Sequence, residues 1–213
     1  MTDRQTLISF MLTGALLILL VFYAFFLDEN SRNDFLSEGG GIESVTALGY
    51  FLCAIFIAYK GRLAYLKSHH YFILIVLFFM LRELDFDKKF TTMSILKSAF
   101  FVSNEVPGIE KLVGAMVILL LLYTVVSIIY RHTNAFLSGL KNRSVISIGA
   151  LIVLALLVIC KSLDGLARRL GRFGVELGNQ TSMYATTVEE ILELGIPIVI
   201  FLTFSAYFKR VRN

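Results

Sequence analysis

From Leu7 to Leu27 the chain runs without a single charge. A helix rises about 1.5 Å per residue, so a run of this length reaches about 30 Å, the thickness of a bilayer's hydrocarbon core. Similar apolar runs recur along the 213 residues, of which 57% are hydrophobic and 17% charged. A soluble domain needs more polar surface than that. The runs are continuous rather than alternating, which excludes barrel strands. The sequence therefore predicts an all-α protein, a polytopic helical membrane bundle of about six transmembrane helices with one or two short interfacial helices on the outer side. Residues 1–213 form a single integral membrane domain, with spans at about 6–27, 43–60, 70–84, 110–130, 144–161 and 188–208. The first run is too long for the apolar core of a signal peptide and is followed by no small-residue cleavage site, so it reads as a retained span.

The third span is short. Tyr71 to Leu81 is uncharged, and six of the next eight residues, Arg82 to Lys89, are charged. Eleven helical residues cover only about 17 Å. Either His69 and His70 are drawn toward the bilayer, or Arg82, Glu83 and Asp85 stand at membrane depth facing protein or water.

Charge fixes the expected orientation. With a cytoplasmic N-terminus, segments 1–6, 60–70, 131–143 and 209–213 lie inside and hold ten of the twenty Lys and Arg residues but only one acid, Asp3. These segments are short, and short basic flanks weigh most in the positive-inside rule. The sequence thus predicts an integral membrane protein of a bacterial inner (plasma) membrane with both termini cytoplasmic. The net charge of +4 does not imply nucleic acid, because the basic residues are scattered between apolar spans.

The outer connections carry most of the pattern. Residues 28–42, with Gly39-Gly40-Gly41, read as a turn, after which Glu43 opens the second span. In 85–109, the spacing of Met93, Leu96 and Phe100 predicts a short interfacial or re-entrant helix. In 162–187, Leu163, Leu166, Leu170, Phe173 and Leu177 recur at steps of three and four, with Arg168, Arg169 and Arg172 on other faces, predicting an amphipathic helix at the membrane surface. Gly178 to Tyr184 reads as a polar connector, and Thr187 with Glu190 has capping-box spacing for the sixth span. Pro197 predicts a kink near Glu193. Glu43-x-Val45-x-x-Leu48-Gly49 and Glu189-x-Ile191-x-x-Leu194-Gly195 echo one another and put two carboxylates at similar depth.

The charged groups at the outer span ends form the candidate binding set: Glu43, Arg82, Glu83, Asp85, Asp87, Lys97, Lys161, Asp164, Arg168, Glu189, Glu190 and Glu193. Ionisable groups inside a bilayer are costly, so they pair or line polar cavities. The expectation is a chamber open to the outer side. Its carboxylates suit a divalent cation such as Mg²⁺, Ca²⁺ or Mn²⁺, and its Arg and Lys residues suit a phosphate or carboxylate headgroup. Glu83, Lys161 and Glu193 are the hardest of the set to place in water. The alternative reading of each residue is a solvated helix end or a surface ion pair.

Other chemistries are poorly supported. Cys53 and Cys160 lack metal-ligand or disulfide spacing and read as buried thiols. His69, His70 and His132 all map to the cytoplasmic side, which disfavours an outer histidine mechanism. Asp164-Gly165-Leu166-Ala167-Arg168 resembles the opening of the CDP-alcohol phosphotransferase signature, Asp-Gly-x-x-Ala-Arg, but is one residue short and lacks the later aspartates, so that family is excluded. No Walker A loop, GxSxG, HExxH or dinucleotide fingerprint occurs. Three functions stay open: a binding or transport protein for a cation or an anionic lipid headgroup; a metal-dependent membrane enzyme acting on a lipid or lipid-linked phosphate; and a sensor or accessory subunit. Membrane lipids are the expected partners, together with a second copy or a partner subunit, and catalytic residues are unassigned.

Overall fold

A computed structural model describes residues 3–27, 40–97, 99–174, 176 and 178–212. Among these residues there are eight helices and no strand: α1 Asp3–Phe26, α2 Gly41–Glu83, α3 Phe86–Phe90, α4 Ala99–Val102, α5 Gly108–Lys141, α6 Val145–Leu163, α7 Leu166–Gly171 and α8 Asn179–Arg212. Five of them (α1, α2, α5, α6 and α8) are long and apolar enough to cross a membrane. The chain is an integral membrane protein built as a helical bundle. It divides into two units, Met1–Gly49 with Phe136–Asn213, and Tyr50–Ala135, the division falling within α2 and α5.

The first unit is organised around α8. Asp3 pairs with Arg210 at 2.5 Å, Gly195 abuts Leu17, and the rings of Phe25 and Tyr184 meet edge-on at 4.8 Å. Residue numbers rise along α1 as they fall along α8, so the two helices are antiparallel, with both chain ends on one face. α6 is antiparallel to α8 as well: the Arg210 guanidinium donates to Ser144 Oγ at 3.2 Å, Gly149 abuts Thr203, and Cys160 Sγ donates to the Glu189 carbonyl at 3.8 Å. The start of α2 runs parallel to α8, since Ile42 shares a buried cluster with Ile191 and Gly49 meets Pro197. With neighbours on several sides, α8 is buried over most of its circumference: Ile191, Glu193, Gly195, Ile196, Pro197, Val199 and Ile200 are all buried, and the face with Leu194, Ile198 and Phe201 is more open. A membrane helix hydrophobic all round is expected to sit at the centre of a bundle.

In the second unit, α2 folds back on itself. At 43 residues it would reach about 64 Å if straight. Instead the ring of Tyr50 lies 5.6 Å from that of Phe79, although a straight helix would hold them about 43 Å apart. The reversal occurs where the backbone leaves helical values, at Arg62 (φ 54°) and His69 (φ −131°). α2 is therefore two helical arms joined by a turn, and the expected spans at 43–60 and 70–84 fall on one arm each.

The outer connections differ from expectation. The predicted helix through Met93, Leu96 and Phe100 forms only at Ala99–Val102. The hydroxyl of Ser94 binds Asp87 at 2.5 Å, and Thr92 donates through its backbone N–H and its hydroxyl to the Glu110 carboxylate at 2.8 and 3.0 Å. Such side-chain bonds compete with helical ones. Phe100, fully buried, and Ile95 pack against the bare Cα of Gly114 and pin the strap to α5. The predicted amphipathic helix over 163–177 shrinks to α7, because Gly165 (φ 61°) and Gly174 (φ 78°) adopt left-handed conformations that glycine tolerates and that stop a helix. Leu177 and residues 28–39 lie outside the described residues. The polar stretch from Asn179 is helical and opens α8. Thr187 consequently caps nothing and donates to the Met183 carbonyl inside the helix at 2.9 Å.

Candidate functional site

Seven of the candidate residues belong to the first unit: Glu43, Lys161, Asp164, Arg168, Glu189, Glu190 and Glu193. The depth of each follows from the register. Leu17 is the midpoint of the uncharged run Leu7–Leu27. Gly195 abuts Leu17 and Leu156, so this part of α8 is enclosed by apolar side chains. Glu193 is two residues away, about 3 Å along the axis, and is only 5% exposed. It directly precedes the uncharged run 194–208 of α8.

Glu43, Glu189 and Glu190 are half-buried on the side of Glu193 away from the chain ends. Pairing of Ile42 with Ile191 and of Gly49 with Pro197 sets Glu43 level with the turn that carries Glu190 and Glu193. The approach of α2 to α8 depends on Gly49: a Cβ there would stand 3.1 Å from both Cβ and Cγ of Pro197. Pro197 has no N–H to bond the Glu193 carbonyl, so the helix ladder is interrupted one turn from the buried carboxylate.

Thr46 was missed in the sequence. It is three residues from both Glu43 and Gly49, hence on the same face of α2. It is fully buried, and its Oγ1 has no hydrogen-bond partner. The α2–α8 register sets it level with Leu194 and Gly195, beside the Glu193 turn. Buried hydroxyls are normally bonded. Thr13 and Thr203, by contrast, donate to the carbonyls of Ser9 and Val199 in their own helices. A threonine reads as neutral in an apolar run, so only the packing exposes this one.

Lys161, Asp164 and Arg168 do not join this group. The Lys161 side chain is 71% exposed and pairs with Asp164 at 2.5 Å across one helical turn. Lys161 is therefore not the enclosed cation expected. Arg168 is exposed and folds back over Gly165.

Compared with protein-family models, curated proteins and solved structures, the chain matches none.

Arg82, Glu83, Asp85, Asp87 and Lys97 belong to the second unit. Glu83 ends α2 at 8% exposure with the Arg82 guanidinium 3.5 Å away. Asp85 sits in the left-handed region (φ 47°) and pairs with Lys88 at 2.8 Å. Asp87 accepts from Ser94 and so organises the strap, and Lys97 is exposed. These residues shape the end of α2 and the strap that follows it. Among the described residues no three His, Cys, Asp or Glu side chains stand together closely enough to hold a metal ion.

The histidines also come together, which the sequence did not disclose. His132 Nε2 and the Tyr71 hydroxyl are 2.8 Å apart, as are His70 Nε2 and the Tyr123 hydroxyl.

Proposed function

We propose that this protein binds a singly charged cation, a proton or an alkali ion, at Glu193, and that the bundle uses this site for transport. The observation that carries the reading is a carboxylate 5% exposed at the start of the uncharged run of a membrane helix that packs against three others. Such a group is costly there and by default marks an ion or proton pathway. Two features support it. The hydroxyl of Thr46 is buried without a partner on the facing helix, and Pro197 stands inside α8 one turn from Glu193, where it has no N–H to offer the Glu193 carbonyl. Carboxylate, carbonyl and hydroxyl oxygens together suit a hard monovalent ion. A divalent ion would ask for several carboxylates at once, and Glu43, Glu189 and Glu190 stand on the outer side as an acidic approach. The dense positive charge of the segments at the chain ends supports a cytoplasmic placement for both termini, so the approach opens to the outer face of a bacterial inner membrane.

The test is carbodiimide labelling of the full chain in lipid nanodiscs, read by mass spectrometry. Glu193 should be modified, and Na⁺ or K⁺ should protect it if an alkali ion is bound. If a proton is bound instead, proton flux into proteoliposomes should require Glu193. Labelling that no alkali salt protects, together with a proton flux that Glu193→Gln leaves unchanged, would refute the reading.

A further inference from the structure

The second unit carries a cluster that the cation site does not use. α2 breaks between its two crossings, and His69 is one of the two residues with non-helical backbone. Its ring stacks on Tyr65, centroids 4.4 Å apart and planes 4° from parallel, and its Nδ1 is 2.7 Å from Ser68 Oγ. From α5, the ring of His132 comes within 6.0 Å of that of His69 and bonds the Tyr71 hydroxyl, whose residue is 1% exposed. Arg131 lies over the Tyr71 ring at 5.7 Å. Both histidines stand outside the crossings: His69 is in the turn where α2 reverses, and His132 follows Arg131 at the basic end of α5.

We propose that His69 and His132 form an acid-operated latch on the break in α2, closing the turn against α5 when both are neutral and releasing it when both are protonated. Neutral, His132 can accept the Tyr71 hydroxyl hydrogen. Protonated, it can only donate, so that bond must reverse. Two imidazolium rings 6 Å apart would also face each other beside Arg131, with Arg62 and Lys67 in the same turn, and like charges this close repel. The other groups facing the pair are Tyr65 and Ser68 within the turn and Phe72 just beyond it, with His70 bonded to Tyr123 alongside.

Burial holds the pKa of both rings below the usual imidazole value. His69 is lowered further by Arg131, against an opposing backbone bond at Tyr65, and His132 by His69 and then Arg131. A group depressed in the closed state binds fewer protons there than when released. The closed state is therefore fully stable above the ordinary imidazole value of about 6.5 and loses stability as pH falls below it.

Hydrogen exchange on the full chain in nanodiscs tests this, with protection of amides 62–72 corrected for intrinsic rates at about pH 7.5 and about pH 5.5. Protection should fall about tenfold at the lower pH, which lies about one pH unit below the ordinary imidazole value, while residues 145–163 hold theirs. The double variant His69→Gln/His132→Gln should remove the fall. Unchanged protection in the wild-type chain, or the same fall in the double variant, overturns the latch. Should the double variant lose protection in 145–163 as well, His132→Gln alone decides, because glutamine keeps a partner for Tyr71 and removes the repulsion: a fall equal to wild type then overturns the proposal.

Discussion

Glu193 and Thr46 are two buried polar groups whose presence works against stability. A carboxylate at the centre of a membrane helix costs about 2.5–3.5 kcal/mol on insertion scales, and a buried hydroxyl without a partner about 1–3 kcal/mol. Thr46→Val keeps the shape and removes the unbonded oxygen. We expect it to stabilise the cation-free protein by about 1 kcal/mol while weakening cation binding. Cys53 and Cys160 are buried thiols outside any disulfide, so a thiol-reactive dye reports unfolding directly. In that assay the melting temperature of wild type should rise with the bound cation. Glu193→Gln should abolish this rise, whereas Glu105→Gln, at an exposed strap position, should keep it. A cation-dependent rise that survives Glu193→Gln would place the site elsewhere.

The helices of the first unit touch through glycines, and these contacts rank the sensitivity of each one. At Gly149 an added Cβ would meet Thr203 Oγ1 and, at 2.9 Å, the ring of Phe10, two side chains fixed by packing and by the bond from Thr203 to Val199. Gly149→Ala should cost about 1–3 kcal/mol, the usual price of overpacking. Gly14 has nothing within 4 Å, so Gly14→Ala should stabilise α1 by about 0.5–1 kcal/mol through helix propensity. The same dye melt compares the two, and equal effects would show that the contact between α6 and α8 is looser than described. The echo between the Glu43 and Glu189 segments acquires a physical meaning here. Gly49 and Gly195 both mark close approaches, one to Pro197 and one to Leu17 and Leu156. By contrast, the stretch 90–102 reads as a helix by spacing and forms as a strap, because Asp87 and Glu110 take the Ser94 and Thr92 donors. Apolar periodicity records which side chains are buried and not where backbone donors find partners.

Five helices long enough to cross a membrane, one of them folded back on itself, predict a topology that labelling can check. In a chain whose native cysteines are replaced by alanine, Ser103→Cys, before α5, and Ser138→Cys, near its end, should label from opposite sides of the membrane, Ser103→Cys from outside intact cells. Labelling of both from one side would remove α5 as a crossing. Membrane class follows from the sequence alone, because the length of an uncharged run and the thickness of hydrocarbon are a single comparison. That comparison works for one helix without its neighbours. The candidate site is legible only in part: Glu193 and its carboxylate neighbours stand out in an apolar run, but Lys161 stands out equally and faces outward. The partnerless hydroxyl of Thr46, the burial of Glu193 and the meeting of His69 with His132 were decided by tertiary structure. Each depends on the register between helices distant in sequence, and register is set by where a glycine lets two backbones close up, which no single run of residues reveals.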